Sequence, residues 1–303
     1  MALNNYMTDL KDTEQSVSGY GKLPKYKDVT VVTVAFGSIS VLPRMVRSLP
    51  AGVKVVVLDN GPDDGTRQWC LENNVKWFHM GANIGFGKAC NAGLAHSSTP
   101  WLFFLNPDAE LIGNCLHELL LATLIHNKAP AYGPMHLLDD GSVWYKLRSG
   151  ISKKNIPKGL TSTYSQVPFI SGAAILISRK IFHDIGGFDP KIFLYFEDDD
   201  ICTRLTHKYG DLILTKSALI KHAGGQSSEI SKSTNTIKEY NFGKSEAYVT
   251  FKHLGLRATI IKFIFHFLKI IRPRNLLVYY YFSRWKYRTL GFLKGLADTS
   301  PND

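Results

Sequence analysis

Four consecutive carboxylates at residues 197–200 are the strongest chemical signal in this chain of 303 residues. Carboxylates this close together raise one another's pKa values, and a raised pKa suits a general base at neutral pH. We therefore expect at least one of Glu197 and Asp198 to be catalytic. For Asp199 and Asp200 a second interpretation stays open, because the free N–H groups and dipole of a helix stabilise acidic residues in its first turn.

Asp108 and His222 are candidate metal ligands. A carboxylate such as Asp108 is a ligand that Mg²⁺ or Mn²⁺ accepts, particularly when the phosphate oxygens of a substrate complete the shell. A turn residue is the alternative for Asp108. His222 follows an apolar stretch and precedes two glycines, and by itself it is more typical of a structural histidine.

Buried strands must position these residues. Continuous apolar and β-branched runs predict strands that are separated by helical crossovers. The predicted strands are 29–35, 53–58, 75–79 and 101–105, and the crossovers are 42–48 and 66–73. This alternation is typical of an α/β domain with an open, mostly parallel sheet, in which ligands bind beyond the carboxyl ends of the strands.

Each predicted strand is followed by a polar or glycine-rich turn, at 36–38, 59–61, 81–87 and 106–108. Turns are rich in Gly, Asn and Asp for conformational reasons alone, but four in succession favour a binding site. Asp59 is placed to accept hydrogen bonds from a nucleotide base or ribose. The loose Gly-x-Gly at 85–87 does not follow the first strand, which argues against a Rossmann dehydrogenase.

The second half of the chain begins with a loop-rich region, predicted at 135–167. A strand is predicted at 169–178 and a short helix at 179–187. The segment 195–200 is predicted to open a further helix, which runs through Ile201, Leu205 and Lys208. The polar segment 224–236 is predicted to be a lid that orders when a ligand binds.

The formal charge of +11 is concentrated towards the C-terminus, where residues 247–297 contain ten Lys and Arg and no Asp or Glu. The apolar run 258–271 predicts a helix too short to span the roughly 30 Å hydrocarbon core of a bilayer. Lys262, His266 and Lys269 share one face of it. We expect this helix to lie in an anionic membrane interface with its lysines towards the headgroups.

A second helix is predicted at 276–293, and its Tyr, Trp and basic residues are typical interfacial anchors. Two alternatives stay open for this region: a helix pair packed on the rest of the chain, and an oligomer interface. Nucleic-acid binding is disfavoured, because so much bulky apolar surface is not needed to bind phosphates.

The cysteines and the N-terminal residues indicate the cellular compartment of the protein. Four scattered cysteines without CxxC spacing indicate reduced thiols. The polar stretch 1–27 lacks the basic and apolar regions of a signal peptide. We therefore expect a cytoplasmic protein.

Six ordered blocks of the sequence resemble the family 2 glycosyltransferases, in particular their bacterial rhamnosyltransferase-like branch. The blocks are VTVVTVAFGS, VVVLDNGPDDGT, NIGFGKACNAGL, FFLNPDAEL, FISGAAILISRKIFHDIGGFDPKIFLYFEDDDICTRL and KHAGGQSS. The resemblance covers residues 29–228 and implies a GT-A fold. We divide the chain into a polar N-terminal tail at 1–27, a catalytic domain at 28–245 and a helical, membrane-associating region at 246–303.

The resemblance also implies roles for individual residues. The residues implied in nucleotide-sugar binding are Thr33, Ala35, Phe36, Asp59, Asn83, Gly85, Phe86, Asn91 and Asn106. Asp108 and His222 correspond to ligands of a divalent cation, Mg²⁺ or Mn²⁺, and Asp198, beside Glu197, corresponds to the catalytic base.

Two positions depart from the family pattern. Asn106-Pro107-Asp108 stands where many members have Asp-x-Asp, which leaves one carboxylate for the metal. Asp199 stands where an apolar residue is common, so the base is either Asp198 or Asp199.

The reaction that the resemblance implies is inverting transfer of a sugar from a nucleotide diphosphate sugar. The favoured donor is dTDP-L-rhamnose, and the implied acceptor is a polyprenyl-linked glycan of O-antigen or related surface polysaccharide synthesis, at the inner face of the plasma membrane. UDP-hexose and galactofuranose donors are alternatives with the same fold. A nucleotide-sugar-binding or membrane scaffold protein without catalysis is the alternative from another class.

Overall fold

The computed structural model describes residues 22–138, 140–146, 148–152, 156, 160, 162–222, 232–271 and 279–299, with the backbone alone at 232–234 and 279–281. The predicted N-terminal tail lies outside the described residues up to residue 21. The predicted lid lies outside them from residue 224 to residue 231.

Ten strands and eight α-helices are present in the described part of the chain. The strands are β1 (Val29–Ala35), β2 (Lys54–Asp59), β3 (Lys76–His79), β4 (Trp101–Leu105), β5 (Ala109–Ile112), β6 (Ala131–Leu137), β7 (Val143–Trp144), β8 (Tyr164–Val167), β9 (Ala174–Ser178) and β10 (Leu212–His222). The helices are α1 (Leu42–Arg47), α2 (Thr66–Glu72), α3 (Phe86–Ala95), α4 (Cys115–Ile125), α5 (Arg179–Asp184), α6 (Glu197–Tyr209), α7 (Lys232–Ile270) and α8 (Tyr279–Ala297).

The strands form one sheet in the spatial order β3-β2-β1-β4-β9-β6-β10-β5, with β7 paired to β6 and β8 paired to β10. Strands β3, β2, β1 and β4 are parallel neighbours, whereas β9 runs antiparallel to both β4 and β6. The predicted α/β fold with an open sheet is confirmed, and the sheet is mixed. The carboxyl ends of β1, β2 and β4 share one edge, where a ligand is expected.

Helices cover both faces of the sheet, which explains the continuous apolar runs in its central strands. All seven residues of β1 are buried. Val31 contributes to the core shared with α1, α2 and α4, and Val32 to the core shared with α3, α5 and α6. The two faces are thus filled by alternate residues of one strand.

Two predictions about the second half are corrected. Strand β9 begins at Ala174 and not at Phe169, because the backbone of Gly172 and Ala173 leaves the sheet to bond Asp198 and Asn106. The region predicted as a loop at 135–167 contains the end of β6 and all of β7 and β8. Short edge strands such as β8 pair with only one neighbour and carry no clear apolar alternation.

The C-terminal helices pack closely against each other. Helix α7 is bent at Gly255, whose φ of 78° is a conformation that favours glycine. A Cβ atom at Gly243, Gly291 or Gly295 would overlap backbone atoms of the facing helix. The boundary placed after residue 245 falls inside α7, and the division into domains stays a prediction.

The polar face of α7 is turned towards the protein and not towards solvent, which corrects the expected orientation of Lys262 and His266. The His266 ring is buried, with Nε2 lying 2.8 Å from Oε2 of Glu246. The Lys262 ammonium donates a 2.8 Å hydrogen bond to the carbonyl of Gly150. The partly buried carboxylate of Glu246 is bonded by both His266 and Lys262, so the polar face points inward.

The opposite face of α7 is therefore the exposed one. We call it the apolar stripe, and its members are Ile260, Ile261, Ile264, Phe265, Phe267, Leu268 and Ile271, each 48–61% exposed. Lys269 packs over the rings of Phe265 and Trp285. Among the described residues, no helix combines the length and hydropathy that crossing a membrane requires.

Candidate active site

Asp59 ends β2 at the carboxyl edge of the sheet. Its side chain accepts hydrogen bonds from the Trp77 indole N–H at 3.0 Å and from the Gly61 backbone N–H at 3.3 Å. Burial raises the pKa of Asp59, and these two bonds oppose that rise. The residue lies where a nucleotide would reach the edge, and its contact with a base or ribose stays a prediction.

The end of β1 lies beside Asp59. Thr33 and Ala35 are buried, and the carbonyl of Ala35 accepts a 2.8 Å hydrogen bond from the Asn60 N–H. The hydroxyl of Thr33 has no hydrogen-bond partner among the described residues. Phe36 is 37% exposed at the strand end, so an aromatic face borders the predicted nucleotide site.

The loop before α3 is held rigidly by asparagine side chains. Asn83 Oδ1 accepts hydrogen bonds from Asn60 Nδ2 at 2.9 Å and from the Gly85 N–H at 3.1 Å. Gly85 has a φ of 88°, and a Cβ there would lie 2.6 Å from the carbonyl oxygen of Phe193. The Phe86 N–H donates to that same carbonyl at 3.0 Å. The sequence did not single out Asn60, although it directly follows Asp59.

The Asn91 side chain bonds the backbone of Phe188. Its Nδ2 donates to the Phe188 carbonyl and its Oδ1 accepts from the Phe188 N–H, both at 2.8 Å. The side chain therefore anchors the loop that leads to the acidic cluster. A direct contact of Asn91 with the nucleotide sugar stays a prediction.

Asp108 and His222 are brought together by strand pairing. Strand β5 begins directly after Asp108 and runs antiparallel to β10, with Ala109 opposite His222. His222 Nε2 lies 3.2 Å from Asp108 Oδ1 and 3.4 Å from Asn106 Nδ2. The Asp108 side chain is 1% exposed, and neither carboxylate oxygen has a hydrogen-bond donor among the described residues.

A buried carboxylate without a donor, next to an imidazole, fits a divalent cation such as Mg²⁺ or Mn²⁺. In the described part of the chain there is no group of three or more His, Cys, Asp or Glu side chains that could hold an ion. Asp108 and His222 would therefore hold a cation only with ligand oxygens completing its shell. This is consistent with the single carboxylate in Asn106-Pro107-Asp108.

His136 is a neighbour of this pair that the sequence did not single out. Its ring centroid lies 5.5 Å from that of His222, and its Nε2 has no hydrogen-bond partner among the described residues. Burial, with a smaller effect of His222, lowers the pKa of His136 to about 4, so the ring is neutral at pH 7. Only the pairing of β6 with β10 reveals this proximity.

The acidic cluster opens α6 after a strained turn. Tyr195 and Phe196 have φ values of 68° and 66°, in the left-handed region that is costly for residues with a side chain. The ring of Phe196 is buried against that of Phe242, with centroids 5.0 Å apart. Packing on α7 thus holds the turn that aims the cluster.

Asp198 is partly buried and fully ionised at neutral pH. Its Oδ2 accepts hydrogen bonds from Lys146 Nζ at 3.1 Å and from the Gly172 N–H at 3.0 Å. Burial opposes ionisation, but Lys146 and Gly172 outweigh it and hold the pKa of Asp198 below its usual value. A Cβ at Gly172 would lie 2.9 Å from that of Asp198, so only glycine allows this approach.

The pKa of Glu197 is shifted in the opposite direction to that of Asp198. Its Oε2 is buried without a hydrogen-bond partner among the described residues. Burial, followed by the charge of Asp198, raises the pKa of Glu197 to about 8. The adjacent pair is therefore one neutral acid and one carboxylate, and of the two Asp198 is able to accept a proton at pH 7. A catalytic role for Glu197 stays a prediction.

Asp199 is tied to a neighbouring loop. Its Oδ1 accepts hydrogen bonds from the Ser149 hydroxyl and, at 3.0 Å, from the Gly150 N–H, and its Oδ2 lies 3.0 Å from Lys146 Nζ. Only 6% of its side chain is exposed. Asp199 is thus less accessible to a substrate than Asp198.

Asp200 is an ion-pair centre with no exposed side-chain surface. Its Oδ1 accepts from Lys252 at 2.6 Å and His253 at 2.8 Å, both on α7, and its Oδ2 accepts from Arg204 at 2.8 Å. Burial opposes ionisation, but these partners lower the pKa of Asp200 to about 2. Asp200 therefore joins α6 to α7 and does not simply stabilise a helix end.

The fold is shared with solved structures. The structure of GalNAc-T7 with UDP, GalNAc and Mn²⁺ matches 73% of this chain with a TM-score of 0.57 and 17% identity. The chain spans about half, 47%, of that protein's length. The open sheet, with Asp108 and Asp198 at its ligand-binding edge, thus defines a protein of the GT-A class.

The chain belongs to Glycosyl transferase family 2, whose sequence profile matches residues 30–186. N-acetylglucosaminyl-diphospho-decaprenol L-rhamnosyltransferase of Mycobacterium tuberculosis is 31% identical, over 58% of this chain and 69% of the relative. Rhamnosyltransferase WbbL of Escherichia coli K12 is 25% identical, over 59% of this chain and 76% of the relative. The resemblance carried by the six sequence blocks is confirmed.

Replacing Asp200 by asparagine should destabilise the fold by about 3 kcal/mol at pH 7, because the cations of Lys252 and Arg204 lose a buried carboxylate partner. A depressed carboxyl pKa contributes stability above the unfolded value, near 3.9, and this is lost as pH falls towards about 2. The difference in free energy of unfolding between wild type and Asp200→Asn should therefore decrease as the pH falls from 4 to 2. Urea unfolding at several pH values measures it.

Asp184→Asn is the matched control for this experiment, since Asp184 forms an exposed pair with Lys180. Because this pair is solvent-exposed, its loss should leave the free energy of unfolding almost unchanged. An Asp200→Asn variant as stable as the control would contradict the structural role of Asp200.

Proposed function

We propose that this protein transfers L-rhamnose from dTDP-L-rhamnose to a lipid-linked N-acetylglucosaminyl diphosphate in bacterial surface polysaccharide synthesis. Both relatives described above are rhamnosyltransferases, and one of them is named for an N-acetylglucosaminyl-diphospho-decaprenol acceptor. Membership of family 2 supports the reaction class. In this proposal Asp108 and His222 act at the diphosphate of the donor, and Asp198 acts at the hydroxyl of the acceptor.

The observation that carries the proposal is a short loop that links these two groups. Asn106 lies two residues before Asp108, and its N–H donates a 2.9 Å hydrogen bond to the carbonyl of Ala173. The preceding residue, Gly172, donates its N–H to Asp198 Oδ2 at 3.0 Å. A leaving group at Asp108 and a base at Asp198 are thereby held in one fixed arrangement, which a direct displacement requires.

The proposed mechanism is a single displacement. Asp198 removes the proton of the acceptor hydroxyl as that oxygen attacks the anomeric carbon, and the bond to the departing diphosphate breaks on the opposite face, so the configuration inverts. A divalent cation held by Asp108 and His222 supplies charge compensation for the diphosphate when bound. Asp59 and Phe36 hold the nucleotide at the ends of β2 and β1.

Asp198→Asn should lose at least about 100-fold in transfer rate, because the amide cannot accept the proton. Donor binding should be unchanged, since the substitution preserves shape. The assay is transfer from dTDP-L-rhamnose to a synthetic N-acetylglucosaminyl-diphospho-lipid, followed by mass spectrometry, and binding is measured as a thermal shift with dTDP-L-rhamnose.

Three comparisons make this result decisive. Asp184→Asn, an exposed carboxylate outside the site, should transfer at the wild-type rate. Near-normal transfer by Asp198→Asn would overturn the assignment of the base. Wild-type transfer from UDP-galactose or UDP-galactofuranose but not from dTDP-L-rhamnose would overturn the proposed donor.

Asp108→Asn should abolish the part of donor binding that depends on Mn²⁺. The reason is that the buried, unpartnered carboxylate is the only negative group facing His222 among the described contacts of that ring. The thermal shift with dTDP-L-rhamnose is measured with Mn²⁺ and after exhaustive chelation. Chelation should reduce the thermal shift of wild type. The variant should show this reduced shift both with Mn²⁺ and after chelation. An equal shift for wild type in both would contradict a metal at this site.

We also propose that the apolar stripe of α7 docks on an anionic bilayer, with the chain bound peripherally at the inner face of the plasma membrane. The inward-facing polar side of α7 supports this, because the stripe is left exposed with no covering element among the described residues. The exposed cations Arg257 and Lys286 lie on the same helix pair, and they complement an anionic surface.

Introducing two charges into the stripe, as Ile264→Glu with Leu268→Glu, should weaken binding to phosphatidylglycerol-containing vesicles at least tenfold. Burying an Ile or Leu side chain contributes about 1.5–3 kcal/mol, and the variant forfeits two of them. Vesicle flotation measures the bound fraction. Leu71→Glu, at a 59% exposed site on α2, is the control.

The oligomer alternative predicts a different outcome. If the stripe pairs with a second copy, wild type should be a dimer in solution, and the double substitution should make it a monomer without changing vesicle binding. That pattern, measured by light scattering, would overturn membrane docking.

A further inference from the structure

Lys146 contacts the acidic cluster from outside α6 and was not among the predicted site residues. Its Nζ lies 3.1 Å from Asp198 Oδ2 and 3.0 Å from Asp199 Oδ2. The ammonium also lies 5.7 Å from the ring centroid of Phe169, and 22% of the side chain is exposed. One cation thus bridges two carboxylates at the rim of the site.

The hydrogen bonds of Asp198 distinguish its two oxygens. A carboxylate oxygen can accept two hydrogen bonds. Oδ2 accepts two, from Lys146 and Gly172, whereas Oδ1 accepts one described bond, from the Asp199 N–H at 2.8 Å. Oδ1 therefore keeps a position for the hydroxyl of an acceptor, and Oδ2 does not.

The charges around Asp198 show what the lysine supplies. The titratable groups that face Asp198 are Glu197 and Asp199 from its own helix, Lys146 from the loop after β7, and the buried thiol of Cys202. The other nearby cations are engaged by Asp200. Lys146 is thus the one cation that directly contacts Asp198 among the described residues, and its removal leaves Asp198 and Asp199 without the charge that both contact.

We propose that Lys146 is the positioning residue of the transfer reaction, holding Asp198 as a carboxylate with Oδ1 turned towards the acceptor hydroxyl. The inference rests on the proposed role of Asp198 as base. In the transfer step the hydroxyl proton moves to Oδ1, the new C–O bond forms at the anomeric carbon, and the diphosphate leaves with the electron pair of the broken bond. Lys146 keeps its proton throughout and touches neither substrate.

The test is the titration of the Asp198 carboxyl in Lys146→Met, followed by ¹³C NMR and assigned by the loss of its signal in Asp198→Asn. An opposite charge at this distance lowers a carboxyl pKa by about one to three pH units. The midpoint should therefore rise by about that amount in Lys146→Met and stay near the wild-type value in Lys146→Arg. The acidic limb of the pH–rate profile for rhamnose transfer should move by the same amount.

Matched controls separate this effect from a general loss of structure. Lys180→Met removes the lysine of an exposed Lys–Asp pair and should leave both the midpoint and the profile unchanged. Lys146→Gln keeps a hydrogen-bond donor without the charge, so it should behave as Lys146→Met. Thermal unfolding of each variant shows whether it is folded.

The outcomes distinguish this inference from the proposed function. An unchanged midpoint in a folded Lys146→Met or Lys146→Gln overturns the inference even if Asp198→Asn is inactive. An active Asp198→Asn overturns the proposed base whatever Lys146 does. If neither lysine variant folds, the wild-type titration decides, and a midpoint above the usual value near 3.9 overturns the inference.

Discussion

The structure depends on accommodating four adjacent carboxyl groups at the start of α6, where Glu197 and Asp198 are partly buried and Asp199 and Asp200 are buried. Unpaired burial of even one such charge costs several kcal/mol, so each group needs its own solution. Glu197 becomes a neutral acid, Asp198 and Asp199 share one lysine, and Asp200 is bonded by Arg204, Lys252 and His253. The surrounding elements are placed to supply these partners.

That requirement links the two ends of the fold. Lys252 and His253 on α7 pair with Asp200, while Lys262, one bend further along the same helix, bonds the carbonyl of Gly150. The N–H of Gly150 in turn bonds Asp199. The helix that presents the apolar stripe therefore contacts both the acidic helix and the loop that holds it, so the site and its docking surface are parts of one network.

The sequence predicts the first half of the fold well, because its strands are buried on both faces and carry an unmistakable apolar pattern. It predicts Asp59, Asp108 and Asp198 because they sit directly after strands or inside an acidic run. Lys146 and His136 escape prediction, since a single lysine in a loop or a histidine in a strand carries no pattern. Only tertiary contacts bring them to the site.

The orientation of α7 is a second feature that the sequence alone does not predict. Its periodicity correctly separates a polar face from an apolar one, but a pattern cannot say which face meets the protein. Here the partly buried carboxylate of Glu246 binds Lys262 and His266, and the apolar face is left outside.

The same pairing changes what the positive charge of the C-terminal region means. Lys252 neutralises Asp189 and Asp200, Lys262 neutralises Glu246, and Arg284 and Arg288 share Glu239. These four of the ten cations between residues 247 and 297 are thus paired with carboxylates of the protein itself, which reduces the positive charge that can attract a phosphate surface from a distance. The seven half-exposed side chains of the apolar stripe would each contribute about 1.5–3 kcal/mol when fully buried, so the proposed docking depends strongly on apolar burial.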